Sequence, residues 1–163
     1  MAIQSIQKSI QSGFYNLLFD NSVSLKVDDR VVTISLDIPD SEFSQKQFPK
    51  VAVFRPIMNT RIPVDSNHVE MQLSCPFLIL DVNGANFAKE MENRERLDLL
   101  AYAIMKLIDN TVSFDMSCVD IQMYRDFRWT LDENLEEMGN NLTALLLTLE
   151  LRVVAPKNLT ITV

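Results

Sequence analysis

Glycine is scarce in this chain: three among 163 residues, at Gly13, Gly84 and Gly139. Loops that cradle phosphate need several glycines at close spacing, because the backbone must approach the ligand with no Cβ in the way. Neither a dinucleotide fingerprint nor a P-loop can be written with these three. Histidine is scarcer still, with His68 alone, and the two cysteines, Cys75 and Cys118, stand far apart. No Cys-x-x-Cys pair exists, which excludes the usual zinc arrangements. Both cysteines sit in apolar, strand-like stretches and read as buried free thiols of a reducing compartment. Basic residues are the minority, 15 against 22 acidic, for a net charge of −7. They never occur two in succession, whereas a nucleic-acid backbone is gripped by clustered Lys and Arg. No nucleic-acid readout is expected. No apolar run approaches the length of a membrane span, and the polar, Gln/Ser-rich start lacks the basic and apolar regions of a signal peptide. The expectation is therefore no membrane association and folding in a cytoplasm.

What is present is an ordinary globular balance, 47% hydrophobic and 23% charged. The length suits one well-buried core, so residues 1–163 are read as a single domain. The opening segment has helical period: Ile3, Ile6, Ile10, Phe14, Leu17 and Leu18 recur at three- and four-residue steps, opposite Gln4, Gln7, Lys8 and Gln11. Asp20-Asn21-Ser22 stops it. Ser22 to Ile38 reads as two short strands joined by a hairpin turn at Asp28-Asp29, the second carrying the alternation Val32, Ile34, Leu36, Ile38. Phe48 to Arg55 reads as a short buried strand, and Pro56 and Pro63 bracket an irregular connection.

From His68 to Asp81 a longer strand is predicted, with Val69, Met71, Leu73, Cys75 and Phe77 on one face. Pro76 cannot donate a ladder hydrogen bond and marks a bend, bulge or edge. Asn86 to Asn110 is the strongest helix, with Leu97, Leu100, Ala101, Ile104, Leu107 and Ile108 as its apolar stripe. Ser117 to Trp129 and Asn141 to Ala155 read as two long strands, the second with Leu145, Leu147, Leu149, Leu151 and Val153 on one face. Between them Leu131, Leu135 and Met138 are spaced like a short amphipathic helix ended by Gly139. Pro156 to Val163 is either a loose tail or an extra strand. Together these predict an α+β fold, an antiparallel sheet with two main helices packed on one face.

No constellation for catalysis emerges. His68 has no partnered nucleophile and reads as a solvent-facing turn residue. The carboxylates are numerous, but most fall on outer strand faces or in turns. Neither an enzyme activity nor a cofactor is expected. More informative is the stretch Tyr124, Arg125, Asp126, Phe127, Arg128 and Trp129. Alternation places Tyr124, Asp126 and Arg128 on one face, and Arg125, Phe127 and Trp129 on the other. Tyr, Trp and Arg combine contact area with a polar handle and are enriched at protein interfaces. Two readings stay open for them: a partner interface, or the core edge and surface of this domain. The acidic connector Asp132, Glu133, Glu136 and Glu137 is likewise a solvated face or a charged patch for a partner.

Three stretches resemble the tail terminator (tail completion) proteins of long-tailed bacteriophages, the lambda-type family. They are Phe48-Pro-Lys-Val-Ala-Val-Phe54, the strand Val69 to Leu80 leading into the helix Arg94 to Asp109, and Tyr124-Arg-Asp followed by an acidic connector and a long alternating strand. The resemblance spans Phe48 to Val154. It implies a structural virion protein of the tail or neck that assembles as a hexameric ring, caps the tail tube, ends its polymerisation and presents the surface that joins the head. The implied partners are further copies of the chain, the tail tube protein and the head–tail connector proteins. The region Ser22 to Gln47 and the residues after Pro156 depart from the compact pattern. They leave another neck or tail-completion protein as the alternative, beside a small intracellular protein-binding module.

Overall fold

The structure, a computed structural model, describes residues 3–26, 31–37, 49–82, 87–111, 122–132, 142–157 and 161–162, with backbone alone at 3–4, 82, 87–93, 122–127, 142 and 161–162. Helix α1 (Ile6–Asp20) starts at Ser5, whose hydroxyl accepts the Lys8 N–H at 3.1 Å. This satisfies one of the amides that a helix start leaves open. It stops where Asn21 folds back and its side-chain amide donates to the Leu17 carbonyl at 2.8 Å. Ile10, Phe14 and Leu18, four residues apart, are its buried stripe. Helix α2 (Phe87–Asn110) buries Leu97, Leu100, Ala101, Ile104 and Ile108, as its period predicts, with Leu107 half-buried.

The strands are β1 (Ile3–Gln4), β2 (Thr33–Leu36), β3 (Lys50–Val53), β4 (Ile57–Pro63), β5 (His68–Val82), β6 (Gln122–Asp132), β7 (Leu142–Pro156) and β8 (Ile161–Thr162). The main sheet runs β2-β3-β5-β7-β6, and β4 pairs with the first half of β5 on the side where β3 pairs with its second half. Strands β5 and β7 form an antiparallel spine from His68↔Pro156 to Val82↔Leu142. Val69, Met71, Leu73, Cys75, Phe77 and Ile79 of β5 join Leu145 to Ala155 of β7 in one core beneath both helices. Phe14 of α1 meets Phe77 edge-on, with ring centres 5.5 Å apart. Each fully buried Leu, Ile or Phe contributes about 1.5–3 kcal/mol, so this spine is the main reserve of stability. The α+β architecture with both helices on one face of the sheet is as the sequence predicts.

Four local expectations are corrected. Ser22–Leu25 forms a 3₁₀ turn, and β2 lies parallel to β3, with Thr33↔Lys50 to Leu36↔Val53. The alternation of β2 described a half-buried strand but could not name its partner; residues 37–49 are long enough for the crossover that parallel pairing requires. Asp28 and Asp29, the expected hairpin turn, lie outside the described residues. The stretch between Pro56 and Pro63 is no irregular connection but strand β4. All seven of its residues are exposed, so no face had to be apolar and the period-two signal is absent. Leu131, expected on a short helix, belongs to β6 opposite Leu147 and packs half-buried on the core; Leu135, Met138 and Gly139 lie outside the described residues. Near the end of the chain Ile161–Thr162 pairs antiparallel with β1 as β8; Leu159 and Val163 lie outside the described residues.

Pro76 sits where its strand changes neighbours. Strand β4 ends its pairing at Ser74 and β3 begins at Phe77, while the Pro76 carbonyl accepts the Phe54 N–H at 3.1 Å. The missing N–H of proline thus faces a gap between two partner strands, where a ladder bond is least needed.

Candidate interaction surface

The sheet face away from the helices divides into two halves. Around the second half of β5, Ala52, Leu78, Leu80 and Ala144 are buried, with Phe54 and Leu146 packed beside them. Around the first half the same face is polar. Arg128 of β6 donates to Glu150 of β7 at 3.2 Å, and Arg152 of β7 donates to Glu70 of β5 at 3.0 Å. Asn59 of β4 donates to the Ser74 hydroxyl at 2.6 Å. Charges of alternating sign therefore step across three strands, and Arg128, Glu150 and Arg152 line an open concavity of about 500 Å³ with Asn59 and Gln72. These pairs are partly or well exposed, which limits each to roughly 0–1 kcal/mol. They set register and surface charge more than stability.

Strand β4 borders this half-face. It is an outer strand, paired with β5 alone among the described residues. Ile57, Met58, Ile62 and the following Val64 are exposed at 60%, 38%, 50% and 58%. Exposed apolar residues on an outer strand are unusual, since such edges are normally shortened, charged or covered. Only the register shift at Asn59 and Pro63 at its end interrupt this edge. The hairpin from β4 to β5 turns on Asp65, whose carboxylate accepts the Asn67 and His68 N–H groups at 2.7 and 2.8 Å. The Asn67 N–H, then the His68 side chain, hold this carboxyl below its usual range. His68 is exposed as expected but is the first residue of β5 and not part of the turn, with its ring nitrogen 3.0 Å from Asp65.

The opposite border is β6, where sequence placed the interface candidates. Tyr124 pairs in register with Arg152, and Arg128 with Glu150, so Arg125, Asp126 and Phe127 stand opposite Leu151 alone. This bulge locally bends the strand and leaves its ladder interrupted. Arg128 is exposed on the charged half-face. Trp129 points the other way, half-buried on the core, with its ring 6.3 Å from Phe77 and its indole N–H donating to Asp109 of α2 at 3.0 Å. Asp132 is exposed at the end of β6. The connector residues Glu133, Glu136 and Glu137 lie outside the described residues.

Of the chemistry-bearing residues, Cys75 is buried on the helix side, and desolvation pushes its thiol pKa up. That suppresses the thiolate needed for nucleophilic or redox chemistry. Cys118 lies outside the described residues. Among the described residues no three His, Cys, Asp or Glu side chains converge as metal ligands, and no helix is long and apolar enough to cross a membrane. The sequence reading missed β4. Its signal was compositional: Ile57, Met58, Thr60 and Ile62 between two prolines, β-favouring residues without alternation.

No family model matches the chain, and no curated protein matches it. Among solved structures, a chain of the virion of a native gene transfer agent particle is similar to it, with a TM-score of 0.53 at 12% identity. The match covers 93% of this chain and 98% of that one. At this identity the likeness establishes a shared fold.

Proposed function

We propose that this chain is a structural virion protein, not an enzyme, that assembles into a ring, caps a phage-type tail tube and presents the surface for head joining. The observation that carries the reading is the nearly end-to-end likeness to a virion chain, 93% of this protein on 98% of that one. The position at the tail end comes from the resemblance of Phe48 to Val154 to tail terminators, since the neighbour is described only as belonging to a virion. The surface supports a protein-binding role: an exposed apolar edge at β4 and a charged half-face beside it are features of contact surfaces.

The physical mechanism is self-limiting assembly. Heterologous contacts between copies close by rotation into a ring. One ring face matches the last layer of the tube, and the other offers no docking surface for further tube subunits, so growth ends. Electron microscopy of the purified chain, alone and with tail tube protein, tests this directly. Six-fold rings that sit at one end of the tubes and fix their length are the expected result. Particles that stay monomeric and leave tube growth unchanged would refute the reading. Rings that bind a connector ring but never a tube would move the protein to the neck.

A further inference from the structure

The charged half-face carries four side chains in a fixed order. Arg128 of β6 stands opposite Glu150 of β7, Arg152 lies two residues further along β7 on the same face, and Glu70 of β5 follows one register step beyond. Both ends are tied, Arg128 to Glu150 at 3.2 Å and Arg152 to Glu70 at 3.0 Å. The signs along this diagonal of three strands are therefore plus, minus, plus, minus. In that order the side chains are 78%, 43%, 40% and 22% exposed. Ile57 and Ile62, in register with Ser74 and Glu70, lie open on the same face.

A series of this kind has no net charge, so it holds little long-range attraction for an acidic or a basic partner. It fits a surface whose signs alternate in matching order. It also has a symmetry of its own: read from the other end, every sign is reversed. Let two copies meet face to face about a two-fold axis that lies in the contact plane and crosses the series at its midpoint. Arg128 then comes opposite Glu70, and Glu150 opposite Arg152, on both sides of the axis. A carboxylate accepts about four hydrogen bonds and a guanidinium donates five, so a pair closed within one copy leaves capacity for a partner across the contact.

We infer that this half-face is a self-complementary contact through which two copies of the chain pair, with Glu150 and Arg152 at its centre and Ile57 and Ile62 packing at its border. The same patch serves on both copies, so the contact closes at two. It goes beyond the ring reading and stands without it. Exposed ion pairs are individually weak, which makes the pairing reversible and sensitive to salt.

The test exchanges signs at the centre of the series in the full chain. Glu150→Arg makes the order plus, plus, plus, minus, and Arg152→Glu makes it plus, minus, minus, minus. Either variant meets its own copy with like charges on both sides of the axis, whereas the two variants together oppose plus to minus at every position. By sedimentation equilibrium at low salt the parent is expected to pair, and more weakly as salt is raised. Each variant alone should show a dissociation constant raised by about tenfold or more, and the equimolar mixture should recover the parental value. Because the altered side chains lie on the surface, both variants should keep the far-ultraviolet circular dichroism of the parent. Variants that pair as the parent does, or a mixture no tighter than its components, would overturn the inference and leave the ring reading standing. A parent that stays monomeric at low salt overturns it as well; if that chain still caps tubes, the ring reading survives alone.

Discussion

Strands β4 and β5 lie side by side, hydrogen-bonded over most of β4, and yet they have opposite fates. Leu73 of β5 is 1% exposed, whereas Met58, its register partner on β4, is 38% exposed. Val69 and Met71 are buried, and their partners Pro63 and Arg61 are not. The difference is coverage. Strand β5 has β4 or β3 on one side, β7 on the other and α2 across its inner face. Strand β4 has β5 alone among the described residues. Backbone pairing makes a strand, but only layering makes a core. A strand that is paired without being layered leaves its apolar side chains in the open, and this is what makes β4 a candidate contact surface.

The comparison is sharpest at its central pair. Leu73→Ala is expected to lower stability by about 2–5 kcal/mol, read from denaturant midpoints, because it opens a cavity in the main core. Equal losses at Leu73 and Met58 would erase the distinction. Next in size is the polar tie that holds α1 to the other end of the sheet. Buried Gln11 donates to the Asp37 carboxylate at 2.7 Å and to the Val53 carbonyl at 2.8 Å. Asp37 is thereby pinned at φ 58, in the left-handed region that Asp tolerates better than most residues. Gln11→Ala should cost about 1–2 kcal/mol by the same measurement, and no loss would mean the tie is incidental.

Met58→Ala comes third: it should change monomer stability by no more than about 0.5 kcal/mol, while weakening any self-association. The smallest effect is at the hairpin tip. The Asp65 carboxyl is depressed below the ordinary 3.8 by the Asn67 N–H and then by His68. A depressed carboxylate contributes stability above the unfolded pKa, which is lost as pH falls through the lower folded value. Amide shifts of Asn67 and His68 in an acid titration by NMR should therefore have midpoints below 3.8. Midpoints at or above that value would show that the turn does not hold the carboxylate.

Much of the fold could be read in advance because its spine has a strong period. The alternation of Leu145 to Val153 and of Val69 to Phe77 marks strands with one buried face, and both faces come out as that pattern says. The stripe of α2 did the same. The interface candidates were harder. Alternation put Arg128 and Trp129 on opposite faces correctly, but it could not say that Trp129 reaches Asp109 of α2, twenty positions earlier in the chain. The charged half-face was invisible for the same reason: Glu70 and Arg152 lie |i−j| = 82 apart.

Composition and period thus determined, without any coordinates, that this chain builds an α+β sandwich, lacks the motifs of phosphate cradles and zinc sites, and carries its core on two long strands. These are local or bulk properties, set by which residues follow one another. Partner choice belonged to the tertiary structure: that β2 takes β3 in parallel, that β5 changes neighbours at Pro76, and that β4 is paired but uncovered. A strand edge offers the same hydrogen-bonding groups to any comer, so its neighbour is fixed by chain reach and by what the other layers leave open, neither of which is written in a local stretch of sequence.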